Sequence, residues 1–412
     1  MSLLHNISKA VAHKQCKENN MVIKPKVRGF ICTNAHPKGC AHSVNEQIKF
    51  TRELGPIENA PKNVLVIGSS TGYGLASRIV AAFAGGAKTL GVCFEKPPTE
   101  KKTATAGWYN TAAFHEAAKE AGMYYKTING DAFSHENKAE VIEAIKSDLG
   151  QVDMVIYSLA SPRRTDPDTG EAYVSSLKPV GQQYTTKTFD TNKELVHEVT
   201  LEPAEQKDID NTIKVMGGED WQLWFKALSE AGVLADNCIT SAYTYIGKEL
   251  TWPIYGHATI GKAKEDLDRA ATELNSDYAD IGLKAYVTSL KAVVTQASSA
   301  IPVMPLYISL MYQVMKDEGV HEGVIEQINH LFRTNILEQS PELDEANRIR
   351  LDTVETNDHI QALIKDAWQQ VDNDNFAELG DYKGYSSDFL KLFGFGFEGV
   401  DYDEDVNPVL EW

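Results

Sequence analysis

Residues 63–74 read NVLVIGSSTGYG. The first five are dominated by aliphatic and β-branched side chains, the composition of a short buried strand. Gly68, Gly72 and Gly74 follow, and beyond them Ile79, Val80 and Phe83 recur at helical spacing. A strand that turns on glycines into a helix can close backbone N–H groups on a phosphate. Glycine tolerates positive φ, and a helix N-terminus is electropositive. A glycine triplet alone is a weak signal. Set between a strand and a helix, it predicts a phosphate loop made of Gly68, Ser69, Ser70, Thr71, Gly72, Tyr73 and Gly74.

Outward from this stretch the chain alternates. Residues 89–94 (TLGVCF), 123–128 and 152–159 (VDMVIYSL) read as strands, and 108–122 and 136–149 as helices. Strands that lack polar alternation and lie between helices belong in a parallel sheet covered on both faces. Right-handed crossovers then predict an α/β fold with a doubly wound, Rossmann-like parallel sheet. The spacing G-x3-G-x-G is of the short-chain reductase style rather than the G-x-G-x-x-G of many dehydrogenases. After Ser161 polar, Pro- and Thr-containing sequence runs to Pro203, and helical material follows around Trp221 and Trp224. Strand-like runs return at 238–246 and 284–290, and the rest is mainly helical. The predicted organisation is an N-terminal extension over residues 1–20 and a nucleotide-binding, catalytic core over 21–340. That core has a large insertion at 161–235 and additional helices, and an acidic segment, 341–412, packs on it.

Glu95 follows the second strand, 27 residues after Gly68. A carboxylate at this place accepts hydrogen bonds from both adenosine ribose hydroxyls and repels a 2′-phosphate, so NADH is expected over NADPH. Asp131, in Gly130-Asp131-Ala132 at the third strand's end, falls near the adenine. Small residues in Ser158-Leu159-Ala160-Ser161 let a dinucleotide pass the edge of the fourth strand.

A reductase of this style needs a proton donor at the substrate and a cation at the nicotinamide ribose. The familiar Tyr-x3-Lys is missing. Tyr255 and Lys264 are nine residues apart, and nine residues on one helix turn through about 900°, which places the side chains on opposite faces. If the two cooperate, Tyr255 precedes the helix on a loop bent at Gly256 and Gly261, with Lys264 in the helix beyond. A lysine near the phenol would favour phenolate and lower its pKa from roughly 10. Tyr245, at a predicted strand end, is a second hydrogen-bond donor. With 17 tyrosines in the chain, the bland alternatives are a chance Tyr–Lys pairing and a core strand tyrosine.

The 412 residues carry a formal net charge of −18. That field argues against nucleic-acid and anionic-membrane partners. Residues 1–62 carry +6 and residues 341–412 carry −13, the latter read as a solvated acidic face. Five scattered cysteines, Cys16, Cys32, Cys40, Cys93 and Cys238, suit a reducing compartment. No stretch is long and apolar enough to span a bilayer, and residues 1–20 lack the apolar core of a secretory signal; a cytosolic location is expected. Cys32, His36, Cys40 and His42 interleave ligand types around Pro37 rather than pairing cysteines, so no metal is expected there.

Taken together, these stretches resemble the FabV-type trans-2-enoyl-ACP reductases and the trans-2-enoyl-CoA reductases. The resemblance runs from Met21 to the C-terminus through APKNVLVIGSSTGYGLASRI, GVCFEKP, TAGWYNTAAF, NGDAFS, DMVIYSLASP, KVMGGEDW, YTYIGKELTWPIYGHATIGKAK and VVTQASSAIPVMPLY. It implies that Gly68, Ser69, Ser70, Thr71, Gly72 and Tyr73 meet the cofactor phosphates and that Phe94 and Glu95 meet its adenosine. Asp131 and Ala132 fall on the adenine side; Leu159 and Ala160, with Val293, Val294 and Thr295, fall on the nicotinamide side. Tyr255 becomes the proton donor, Tyr245 a substrate contact and Lys264 a ribose ligand. The implied reaction is NADH-dependent reduction of trans-2-enoyl thioesters on acyl carrier protein or CoA, in fatty acid synthesis, by a monomer or small oligomer. Tyr255 and Tyr245 together would form the oxyanion site. Either carrier is anionic, and Lys24, Lys26, Arg28, Lys38, Arg163 and Arg164 are the candidate basic approach. The apolar, proline-broken stretch 301–315 could line an acyl tunnel; a core helix is the bland alternative, and the two are compatible. The alternatives are a short-chain carbonyl reductase, which should show Tyr-x3-Lys, a non-catalytic NAD-sensing module, and an acyl-carrier-binding scaffold.

Overall fold

The computed structural model describes residues 20–159 and 161–412. A hairpin of β1 (Val27–Arg28) and β2 (Ile31–Cys32) precedes helix α1 (Pro37–Glu53). Strand and helix then alternate through β3 (Asn63–Ile67), α2 (Gly72–Phe83), β4 (Lys88–Cys93), α3 (Ala106–Glu120), β5 (Tyr125–Asn129), α4 (His135–Asp148) and β6 (Val152–Tyr157). Two antiparallel hairpins come next, β7 (Arg163–Thr165) with β8 (Ala172–Val174) and β9 (Tyr184–Asp190) with β10 (Leu195–Leu201). Helices α5 (Gln206–Met216) and α6 (Glu219–Glu230) lead to β11 (Leu234–Thr244), α7 (Thr259–Asp277) and β12 (Lys284–Ser289). The short α8 (Gln296–Ser299), then α9 (Met304–Asp317), α10 (Val324–Thr334) and β13 (Arg348–Arg350) precede α11 (Asp358–Gln370), α12 (Phe376–Leu379) and α13 (Tyr382–Lys391).

Seven strands form one sheet in the order β13-β12-β11-β6-β3-β4-β5, with every neighbouring pair parallel. Inside β3, Val64 and Val66 face one layer of helices while Leu65 and Ile67 face the other. The first layer contains α2 and α10, the second α4, α6 and α7, and all four strand residues are inaccessible to solvent. That explains the missing alternation: both faces are dry, and each such side chain contributes about 1.5–3 kcal/mol by burial. The predicted doubly wound sheet is therefore present. Its seventh strand, β13, gave no sequence signal, because three residues reading Arg-Ile-Arg carry no hydrophobic run.

The strand order reverses between β3 and β6, which opens a crevice at their C-terminal ends. Over that end of the sheet sits a further buried cluster containing Tyr255, Ala292, Val294, Ile301, Tyr307 and Tyr385. Helix α9 begins at Met304, so Pro305 falls in its first turn, where a missing N–H costs nothing. Ten residues of this helix are buried. Residues 341–412 supply Ile360, Ile364, Phe389 and Phe395 to the same cluster. The reading of this segment as a solvated acidic face fails at Asp352 and Glu355, both fully buried. Asp352 is neutralised by Arg350 (2.7 Å) and bonded by Ser289 (2.9 Å). Among the described residues no helix is long and apolar enough to cross a membrane.

Candidate active site

The glycine loop is pressed against the end of β6. Gly68 has φ +88°, and a Cβ there would lie 2.1 Å from the Ser158 carbonyl oxygen. Only glycine fits. Helix α2 starts at Gly72, and the first-turn N–H groups of Gly72, Tyr73 and Gly74 have no intrahelical acceptors. Together with Thr71 at the N-cap they make an anion-binding end. The Ser69 hydroxyl donates to the Val92 carbonyl (3.1 Å) and Ser70 donates to Glu95 Oε1 (2.6 Å). The Tyr73 side chain turns away from the loop: its hydroxyl donates to the Lys291 carbonyl (2.9 Å) and accepts from Gln327 Nε2 (3.2 Å).

Glu95 is held from three sides. Ser70 and Thr105 donate to its carboxylate, and the Asn129 amide pairs with its backbone N–H (2.7 Å) and carbonyl (2.9 Å). Beside it the Phe94 ring is 78% exposed, an uncovered aromatic face at the strand end. Asp131 Oδ1 caps the following turn by accepting the Phe133 N–H (3.0 Å). The carbonyls of Ala132 and Phe133 accept from Lys138 Nζ (2.9 and 3.0 Å), which is ion-paired with Asp220 (2.8 Å). Tyr157 donates to the other Asp220 oxygen (3.0 Å). Asp220 of the GGEDW stretch thus anchors the turn after β5, a role invisible in sequence because the partners are remote in the chain. Leu159 is partly exposed next to Gly68; Ala160 lies outside the described residues.

Tyr255 lies in the run of turns before α7, and Lys264 lies within α7. The Tyr255 N–H bonds to the Thr251 carbonyl (2.8 Å), and a Cβ on Gly261 would sit 2.0 Å from the Gly256 carbonyl oxygen. The helix start is therefore packed directly on the tyrosine's turn. The insertion braces it from outside, through Thr259 N–H to Lys178 O (3.0 Å) and Val180 N–H to His257 O (3.0 Å). Tyr255 is 8% exposed, and burial raises its pKa. Desolvation of the phenol is the cause of that rise. Desolvation lowers the Lys264 ammonium to about 8.

Tyr245 meets Tyr255 edge to face, ring centroids 4.8 Å apart at 88°. Its hydroxyl donates to Glu355 Oε1 (2.8 Å), as does that of Tyr307 (2.8 Å), while Oε2 accepts the Ala292 N–H (2.6 Å). The single Tyr245 proton is directed at Glu355. Among the described residues the Tyr255 hydroxyl makes no hydrogen bond. Burial pushes the Glu355 carboxyl above its usual range, against the stabilising Ala292 N–H and Lys291. Lys291 is itself buried, and desolvation lowers it to about 8. Val293 and Val294 are buried, and Thr295 caps α8 by accepting the Ser298 N–H (3.0 Å). A continuous path of contacts therefore links the loop to the phenol pair: Tyr73 to Lys291, Ala292 to Glu355, Glu355 to Tyr245, and Tyr245 to Tyr255.

Of the candidate cations, Lys24 pairs with Asp403, Lys38 pairs with Glu404, and Arg164 is buried against Glu219 (2.7 Å). Lys26, Arg28 and Arg163 remain exposed. His36 Nδ1 accepts the Gly39 N–H (3.1 Å) as the cap of α1. Among the described residues no group of three or more His, Cys, Asp or Glu is arranged to hold a metal ion.

Three family models match the chain. Residues 102–337 match the trans-2-enoyl-CoA reductase catalytic region, and residues 22–100 match the NAD(P)H binding domain of trans-2-enoyl-CoA reductase. Residues 343–406 match a model described as the enoyl reductase FAD binding domain. The residues of that last segment do not fit a flavin. They form one three-residue strand and three helices, with no strand–glycine turn–helix unit to take a diphosphate. The chain is 67% identical to an enoyl-[acyl-carrier-protein] reductase [NADH] of Idiomarina loihiensis over 95% of its own length and 100% of the relative's. It is 59% identical to the protein of that name from Edwardsiella ictaluri, over 95% and 99%. Among solved structures it is similar to Treponema denticola trans-2-enoyl-CoA reductase in complex with NAD, with TM-score 0.91, 47% identity, and 95% and 100% of the two chains covered. The Clostridium acetobutulicum trans-2-enoyl-CoA reductase in complex with NADH gives TM-score 0.91 and 40% identity over 94% and 98%.

Proposed function

The chain belongs to the trans-2-enoyl-CoA reductase family, and from that membership we propose that it reduces trans-2-enoyl thioesters with NADH, on acyl carrier protein or coenzyme A, in fatty acid synthesis. The observation that carries this reading is the contact path from the glycine loop to Tyr255 along one edge of the sheet. The bound cofactor supplies a hydride for C3 of the thioester. Negative charge then collects on the thioester oxygen, where a positioned hydroxyl lowers the barrier. Tyr255 is suited to this: its O–H is bonded to none of the described residues, and burial keeps that proton in place at neutral pH. Its proton reaches the substrate at C2, leaving the saturated acyl thioester. Gly68, Ser69, Ser70, Thr71, Gly72, Tyr73 and Gly74 would hold the cofactor phosphates, and Phe94 with Glu95 its adenosine. Asp131, Ala132, Leu159, Val293, Val294 and Thr295 would border the remainder.

The deciding assay is NADH oxidation with crotonyl-CoA and with a longer enoyl-ACP, run beside NADPH. No oxidation with any enoyl thioester would overturn the reading and favour a non-catalytic NAD-binding module.

Lys264 would hold the nicotinamide ribose as a cation. A hydrogen bond to a charged group is worth roughly 1.5–3 kcal/mol, so Lys264→Ala should raise the NADH KM about ten- to a hundredfold and lower kcat too. In the unaltered protein that KM should climb as pH passes about 8, where the ammonium is lost. The variant should show a flat profile; a parallel climb in both would rule Lys264 out.

Glu95→Ala should shift the ratio of kcat/KM for NADPH over NADH upward by about tenfold or more, since a negative charge facing the 2′-phosphate is removed. An unchanged ratio would show that the carboxylate does not face the ribose.

A further inference from the structure

Glu355 lies between β13 and α11 and is one of 18 acids in residues 341–412, yet it is fully buried. All of its acceptor groups are occupied by the ends of other elements. Oε1 takes the hydroxyls of Tyr245, just past β11, and Tyr307, on α9. Oε2 takes the N–H of Ala292, just past β12, and the Glu355 carbonyl accepts from Gln361 Nε2 (2.8 Å) on α11. Gln361 also donates to the Tyr307 hydroxyl (3.1 Å). Removing a carboxylate from water is costly, and this one is offset by donors brought from three directions.

Every group on the two Glu355 oxygens is a donor, which holds the carboxylate as the acceptor against the desolvation that raises it, and a phenol has a single proton to give. Once Tyr245 gives that proton to Glu355, its oxygen offers only lone pairs to the space beside Tyr255. We propose that Glu355 is a positioning residue for the reduction, acting through Tyr245: it sets the direction of that hydrogen bond, holds the ring edge-on to Tyr255, and reserves proton donation for Tyr255. This rests on the proposed role of Tyr255 and on the reading of Tyr245 as a substrate contact.

Glutamine at position 355 has nearly the same shape and the opposite effect on Tyr245. Its amide N–H cannot face the Ala292 N–H, since both are donors, so Oε1 must turn toward Ala292 and Nε2 toward the two phenols. Tyr245 then accepts, and its own proton swings into the site as a competing donor. Turnover should suffer while cofactor binding, set at the glycine loop, Glu95 and Lys264, does not.

The test is a double-mutant cycle on the full chain with crotonyl-CoA and NADH, using Glu355→Gln, Tyr245→Phe and the pair. Glu355→Gln is expected to lower kcat by about tenfold or more with the NADH KM within about twofold. In the Tyr245→Phe background the same change should alter kcat by less than about threefold, because the group it acts through is gone. If Tyr245→Phe is impaired and Glu355→Gln lowers kcat equally in both backgrounds, the carboxylate serves folding alone and the inference falls while the reading of the site stands. If Tyr245→Phe keeps full turnover, the reading of Tyr245 itself is wrong and the inference goes with it. Should Glu355→Gln fail to fold, Glu355→Asp takes its place in the cycle. Its shorter carboxylate must release Tyr245 or Ala292, and the same coupling or additivity decides.

Discussion

Tyr255→Phe should lower kcat with crotonyl-CoA by about 10²–10⁴-fold, the usual contribution of a positioned general acid, while NADH affinity stays within about twofold. The substitution removes one hydroxyl and keeps the ring that packs on Tyr245, so the local fold should survive. The hydroxyl has no partner among the described residues, so its loss leaves no buried group unpaired and the effect reports chemistry rather than stability. Steady-state turnover and NADH titration by fluorescence separate the two quantities. Turnover near that of the unaltered enzyme would remove Tyr255 from the mechanism. A loss of NADH binding equal to the loss of kcat would move it to the cofactor site.

Gly68→Ala should cost about 2–5 kcal/mol of stability and abolish measurable NADH binding. Part of that is the strain of an L-residue at φ +88°, about 1–2 kcal/mol. The rest is steric: the new methyl would lie 2.1 Å from the Ser158 carbonyl oxygen, and backbone cannot rotate aside as a side chain can. Overpacking of this kind costs about 1–3 kcal/mol. The loop would have to lift off β6, carrying with it Ser69, Ser70 and the start of α2, the proposed phosphate cradle. Gly86 provides the control. It also has positive φ, +67°, but a Cβ there meets nothing within 4 Å. Gly86→Ala should therefore cost only the strain and leave NADH binding intact. Thermal melting with and without NADH measures both; equal melting temperatures for the two variants would show that the contact with Ser158 is unimportant.

Which parts of this enzyme could be read from its residues follows from how local each signal is. The run 63–67 and the glycines after it act within a dozen residues, so strand, turn and helix were all legible there. Glu95 was legible because the strand–helix–strand unit fixes where the second strand ends. On one continuous helix Tyr255 and Lys264 would point apart, so for the two to cooperate the tyrosine had to precede the helix, and it lies in the turns ahead of Thr259. The missed strand β13, by contrast, is three residues long and takes its place only by pairing with β12. The buried pair Lys138–Asp220, 82 residues apart in the chain, left no trace in any window of sequence.

The chain alone determined the doubly wound sheet and the glycine turn between its first strand and helix, because each is written in short-range periodicity and turn chemistry. Only the tertiary structure decided which charges leave water and whom they meet. Glu355 looks like any other acid of a −13 segment until α9, α11 and the ends of β11 and β12 converge on it. The direction of a hydrogen bond and the pKa of a phenol depend on desolvation and on partners distant in sequence. Those are properties of the packed molecule and cannot be carried by a local pattern.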